Sequence, residues 1–193
     1  MRLDILNRGY GAGTKALFAL IRVFSGHPVP DAAKIVFYRS DFYGARAKEF
    51  THEAMRGASS WSVADRELMA AFVSKANECA FCVGAHTATA SRAYQDGAKV
   101  QAVLADLDSA PVEEPLRATL RMLGNLIREG KASSSDMRDV LSAGVSRQQV
   151  KDALAVCAAF TVTNRLADAF GFEVLGPEGF DAGAKYLLKR GYR

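Results

Sequence analysis

The stretch "ELMAAFVSKANECAFCVGAH", residues 67–86, decides how the chain reads. Its first part continues a segment that opens at Ser62. Ser62 with Asp65 three residues later makes a capping-box-like start, and acids in the first turn suit the helix dipole. Leu68, Phe72, Val73 and Ala76 then fall on one face, the spacing of a helix rather than a strand. A second helix is expected over "AFCVGAHTATASRAYQ", residues 80–95, closed by Asp96-Gly97. Cys82 and His86 stand at i and i+4 on it and share a face. Cys79 precedes His86 by seven residues and lands near the same face, at the helix N-terminus. Unpaired N–H groups and the dipole favour a thiolate there.

Outward from this hairpin the rest of the chain reads in the same style. Upstream, "TKALFALIRVF" (14–24) and "PDAAKIVFYRS" (30–40) are short amphipathic segments about the turn "SGHPVP", and "GARAKEFTHEAM" (44–55) is a third. Downstream, helices are expected at 113–130 and 133–144, each ending on glycine. Ser146 caps a long apolar helix over 147–171. "FTVTN" (160–164) holds β-branched residues between helical flanks, and no hairpin signal occurs. No linker divides the chain, so the expectation is one all-α domain spanning 1–193, packed as helical hairpins, with its motif region at about 60–175.

Composition narrows the function classes. The 193 residues suffice to bury a sizeable core, and a hydrophobic share of 49% excludes a disordered chain. The net charge of +4 comes from interspersed charges with no run of five like ones, which gives no footprint for nucleic acid or a membrane surface. No apolar run approaches ~20 residues. "ALFALIRVF" is broken by Arg22 and lacks a cleavage site, so the default compartment is cytoplasmic. The basic end "KYLLKRGYR" (185–193) reads as a solvated tail. Trp61 reads as a staple or core residue, and Cys157, alone in an apolar helix, as core packing.

In a reducing compartment three cysteines are no disulfide framework, and a close CxxC reads as catalytic or metal-binding. A structural zinc site wants four ligands. Glu67 beside Cys79, Cys82 and His86 would be an unusual set, and His27 and His52 stand alone. Val83 follows the second cysteine where haem attachment needs histidine, and no βαβ context surrounds the pair as thioredoxin chemistry requires. Two thiols buried in a core helix are the bland alternative. A thiol-redox centre remains, able to attack a peroxide O–O bond or a disulfide and close a Cys79–Cys82 bond, with His86 and Glu67 as candidate bases.

The spacing Glu67, eleven residues, Cys79, two, Cys82, three, His86 resembles the signature of the alkylhydroperoxidase D-like group within the carboxymuconolactone decarboxylase superfamily. "GVSRQQVKDALAVCAAFTVTNRLADAFGFEV" is similar to the C-terminal helix of its peroxidase-related branch. The resemblance implies a thiol-dependent peroxidase acting on hydrogen peroxide or organic hydroperoxides. It implies a Glu67/His86 proton relay, Cys82 as the attacking thiol and Cys79 as its resolving partner. It also implies a thiol or dithiol reductant, no bound cofactor or metal, and a homo-oligomer (dimer, trimer or hexamer). The sequence departs from the best-studied branch at Ala80-Phe81, where a histidine stands between the cysteines. The motif also lies in the first half of the chain. The peroxidase-related branch fits better, and the lipoylated protein partner of the other is not implied. Lactone decarboxylation is the runner-up enzymatic class, although that branch lacks the cysteine pair. A zinc-stabilised or stress-related interaction protein is the non-enzyme competitor. Asn164, Arg165 and Asp168 are polar in an apolar helix. Arg165 could pair with Asp168 at i+3, and in similar proteins this stretch approaches the redox pocket or a subunit contact.

Overall fold

The structure, a computed structural model, describes residues 5–38 and 40–192. Arg39, inside the second expected helix, and Arg193, at the end of the expected tail, lie outside the described residues. Among the described residues eleven α-helices follow one another: α1 (Ile5–Arg8), α2 (Ala12–Ser25), α3 (Asp31–Tyr38), α4 (Ala45–Arg56), α5 (Val63–Ala76), α6 (Ala80–Tyr94), α7 (Gly97–Ala105), α8 (Glu114–Glu129), α9 (Ser134–Ser142), α10 (Arg147–Phe170) and α11 (Pro177–Arg190). A π-helical turn, Ser40–Gly44, lies between α3 and α4, and no strand occurs among the described residues.

Helix α5 is the axis of the molecule. Nine of its fourteen residues are buried, which a helix with a single apolar stripe could not manage. It packs against α6 in a tight hairpin, and α10, α8, α7 and α4 surround it. Its start is set as the sequence suggests. The Ser62 side chain accepts from the Asp65 N–H, and the Asp65 carboxylate accepts from the Ser62 N–H, each at 3.0 Å. Helix α10 starts the same way on Ser146 and Gln149 and ends on Gly171 in the left-handed conformation. By length and composition alone it could cross a membrane, but here it packs against α5, α4 and α8 as a core helix. Trp61 is buried, and its indole N–H donates to the Gln149 carbonyl at 2.8 Å, tying the α5 entrance to α10. Cys157 is buried in the main core, as its apolar surroundings suggest.

Two expectations need correction. Asp96-Gly97 does not simply end α6. Gln95 takes the left-handed cap position, and Asp96 instead caps the start of α7 by accepting from the Lys99 N–H at 2.9 Å. A short helix opening on glycine carries little local signal. The C-terminal "KYLLKRGYR" is no solvated tail. Residues 177–190 form α11, which packs on α6, and Tyr192 beyond it is partly buried. Apolar cover for this helix comes from Phe180, which reaches Phe81 of α6 at a centroid distance of 6.0 Å.

A second, smaller apolar cluster joins Leu6 of α1, Ile35 of α3, Cys79, Phe81 and Cys82, Ala167 of α10, and Phe172. The cysteine pair is therefore packed beneath the N-terminal helices rather than in the main core. The close approach of α11 to α6 depends on Gly84, where a Cβ would come within 2.4 Å of the Phe180 ring. Gly84→Ala gains about 1 kcal/mol of helix propensity but loses about 1–3 kcal/mol to overpacking. Urea denaturation should show net destabilisation. In a Phe180→Leu background the alanine should cost less, with a coupling of at least about 0.5 kcal/mol.

Candidate active site

Glu67 sits in the second turn of α5. The capping box leaves Asp65 as the first-turn acid and turns Glu67 inward, where it is 0% exposed. A carboxylate with no access to water must find its donors in the protein. His86 Nδ1 lies 2.7 Å from Oε2, and Arg56 Nη2 donates to Oε1 at 2.6 Å. The Tyr192 hydroxyl donates to the same carboxylate, 3.0 Å from Oε1 and 3.2 Å from Oε2. These donors come from α6, from the last turn of α4, and from the turn after α11.

Arg56 is itself fixed from two sides. Nη1 donates to the Met55 carbonyl at 2.8 Å, Nη2 to the Leu187 carbonyl at 3.1 Å, and the guanidinium lies 5.1 Å from the centre of the Tyr192 ring. His86 meets Phe160 edge-on at 4.3 Å between ring centres. A carboxylate only accepts, so a hydrogen belongs on His86 Nδ1. Burial pushes the Glu67 carboxyl up, but the hydrogen bond and charge of His86, with Arg56, outweigh it and hold the group below the usual carboxylate range. Burial, and then the Glu67 charge, push the Tyr192 phenol well above its ordinary value.

The thiols lie at the start of α6, each 1% exposed and neither in a disulfide. Cys79 is the N-cap residue, reached through Glu78 in the left-handed region at φ 59°. A side chain larger than glycine is strained there, and the strain lies directly beside the cysteine pair. The Cys82 thiol beside it favours the Cys79 thiolate and draws its pKa down, against burial and the Asp168 carboxylate. Cys82 is pushed far up by the Cys79 sulfur and by burial. Of the two thiols, Cys79 is thus the readier to give up its proton. No hydrogen bond joins His86 directly to either sulfur among the described residues. The link is the single turn of α6 between Cys82 and His86.

All four sequence-predicted residues therefore converge, as a Glu67–His86 pair and an adjoining Cys79–Cys82 pair. The α10 residues divide. Asp168 is exposed and close enough to act on both thiols, and Arg165 is exposed with no ion pair to Asp168 among the described residues. Asn164 is buried and braces α10 to α5, accepting from Ser74 Oγ at 3.2 Å. His52 is not isolated: its Nδ1 accepts from the Tyr192 N–H at 3.3 Å. Among the described residues no group of three or more His, Cys, Asp or Glu is arranged to hold a metal ion. Arg56 and Tyr192 are the members that the sequence reading misses. Neither stands at a telling spacing from the motif, and Tyr192 is 125 residues from the carboxylate it touches.

The sequence alone suggests that Glu67→Gln should leave stability near native. The structure reverses this, because the amide would leave Arg56 buried without its counter-charge. Such losses cost about 3–5 kcal/mol, and urea denaturation of the Gln variant should show a drop of that order. The pH dependence has a definite sign. The carboxyl is lowered on folding, so its contribution is present above the unfolded carboxylate range and is lost as pH falls through the folded value. The difference between wild type and Glu67→Gln should therefore shrink on acidification, and a gap that is constant from neutral to acid pH would contradict it.

Residues 43–123 match the carboxymuconolactone decarboxylase family, a segment that holds Glu67, Cys79, Cys82, His86 and Arg56 but not Tyr192. No curated protein matches the chain in sequence. The fold is similar to that of a peroxidase-related protein from Silicibacter sp. TM1040, at TM-score 0.77 and 22% identity over 92% of this chain and 93% of that one. It is also similar to an alkylhydroperoxidase AhpD core, a peroxidase-related protein from Ralstonia eutropha JMP134, at 0.72 and 20% over 90% of each. The debrominase Bmp8, solved with 2,3,4-tribromopyrrole, shares the fold at 0.70 and 15% over 95% of this chain and 93% of that one. The chain thus carries a segment similar to the carboxymuconolactone decarboxylase family within an all-helical fold that it shares with these structures.

Proposed function

We propose that the chain is a thiol-dependent peroxidase that reduces hydrogen peroxide or a small organic hydroperoxide through Cys79 and Cys82. The observation that carries this reading is the reduced dithiol at a helix N-terminus, one helical turn from a histidine held by a buried carboxylate. A thiolate on this pair attacks the terminal peroxide oxygen. An S–O bond forms as the O–O bond breaks, and the departing oxygen leaves as an alcohol or water once it takes a proton. The second thiol then displaces hydroxide from the sulfenic acid, its own proton completes a water molecule, and a disulfide closes. Two electrons have passed from the dithiol to the peroxide. An outside thiol or dithiol returns them.

The greater readiness of Cys79 to ionise does not decide which sulfur attacks. A proton shared between neighbouring sulfurs moves faster than peroxide reacts, so attack goes through the sulfur best placed for proton delivery to the leaving oxygen. Cys82, one turn from His86, is that sulfur, and the order agrees with the one the family resemblance implies. Cys79, over the open start of the helix, resolves. We further propose a homo-oligomer in the cytoplasm. Leu17, Leu20, Ile21, Val23 and Phe24 of α2 are exposed, and α2 buries none of its residues.

Two measurements test these assignments. After peroxide treatment, Cys79→Ser should retain a sulfenic acid on Cys82 that a dione reagent traps, while Cys82→Ser should neither form an early adduct nor consume peroxide. An adduct on Cys79 in the Cys82→Ser protein, at the wild-type rate, would reverse the order of the two thiols. Absence of peroxide consumption by the wild-type dithiol would remove the peroxidase reading itself. Light scattering at micromolar concentration should give a multiple of 20.8 kDa, and the monomer mass alone would overturn the oligomer.

A further inference from the structure

The last turn of the chain lies outside the matched family segment, yet it reaches the most buried charge in the site. Tyr192 follows α11, whose last turn also supplies the Leu187 carbonyl that holds Arg56. The chain bends back through Gly191 at φ 68° and ψ −149°, a region that is essentially glycine-only. Even without that restriction a side chain would not fit, since a Cβ at 191 would come within 2.8 Å of the His52 ring. The bend carries the Tyr192 phenol under α5 and α6, where its oxygen donates to both oxygens of Glu67 and lies 3.5 Å from His86 Nδ1. The Tyr192 ring stacks nearly parallel to the imidazole, at 18° between planes.

The geometry points to Tyr192 and Arg56 as positioning residues of the proton relay: together they keep Glu67 an anion locked onto His86 Nδ1, so that Nε2 stays free to exchange protons with the dithiol. This rests on the relay proposed above but adds two members to it. The charge logic is simple. Glu67 has no water, and a protonated Glu67 would donate its own hydrogen to Nδ1, which would put the ring hydrogen on Nε2 and take away the lone pair there. Arg56 supplies the counter-charge and Tyr192 an uncharged donor, so the carboxylate is satisfied on both oxygens without a second cation. Another charged neighbour is Arg66 on α5, whose Nη1 is directed to the Ala54 and Gly57 carbonyls. From α10 the packed group is the Phe160 ring, which carries no charge.

Tyr192→Phe removes the donor and keeps the ring, while Gly191→Ala keeps the phenol and displaces it. Both should act on the same group. In carboxyl-labelled full-length protein, the Glu67 carbon signal is identified by its loss in Glu67→Gln. Its titration midpoint should rise by about one unit in Tyr192→Phe, because burial is then less fully opposed. The acid limb of dithiol alkylation by iodoacetamide should move up with it. Gly191→Ala should reproduce the shift, and if that protein does not fold, Tyr192→Phe alone decides. An unmoved midpoint with a lowered melting temperature would make Tyr192 mere packing and overturn the inference. The carboxyl titration needs no peroxide. A shifted midpoint in a protein that never consumes peroxide would sink the peroxidase reading and leave this one standing, whereas peroxide turnover with an unmoved midpoint would do the reverse.

Discussion

A single carboxylate removed from water organises this molecule. Glu67 is fully buried, and an isolated charge in such a place is strongly disfavoured. Its three donors come from α4, α6 and the turn after α11, segments far apart in sequence. Each segment has its own apolar reason to lie where it does, but the carboxylate demands that all three arrive together. Losing one donor leaves the burial cost standing against fewer hydrogen bonds. The cluster is therefore a check on correct assembly as well as a chemical device.

What local chemistry specifies was legible, and what long-range packing specifies was not. Ser62 with Asp65, and Ser146 with Gln149, mark helix starts because a cap is made within four residues. Glu67, Cys79, Cys82 and His86 were legible as a set because a helical hairpin turns fixed spacing into adjacency. Tyr192 had no such signal. Its partner lies across the whole second half of the chain, and the segment that delivers it, "PEGFDAGAKYLLKR", is rich in glycine and lysine. That composition reads as solvent-facing until Gly84 is seen to open a seat for Phe180 on α6. The burial of Glu67 is hidden from a sequence reading for a related reason. A sequence shows an acid near a helix start, but it does not show that two residues of rotation carry that acid from solvent into the core.

The fold alone does not name the chemistry. Proteins of peroxidase-related and debrominase description share it with this chain at low identity. Here Leu6, Ile35 and Phe172 cover the sulfurs, so a reactant must be small or must displace that cover. Asp168 adds a carboxylate outside the pair, which opposes a second negative charge on the sulfurs and disfavours an anionic reactant.

The charges inside the site close on themselves in a way that suits proton transfer. Glu67 and Arg56 form a neutral pair, and Tyr192 adds a donor without adding charge. What remains is a dithiol in which Cys79 is the readier to ionise, and one imidazole able to carry a proton. Moving a proton between the dithiol and His86 converts a thiolate and an imidazolium into a thiol and a neutral ring, so the buried region keeps its net charge throughout. For the peroxide reaction proposed above, a site built this way would need no bulk water as the O–O bond breaks, because the proton that the leaving oxygen requires would be held within one helical turn of Cys82.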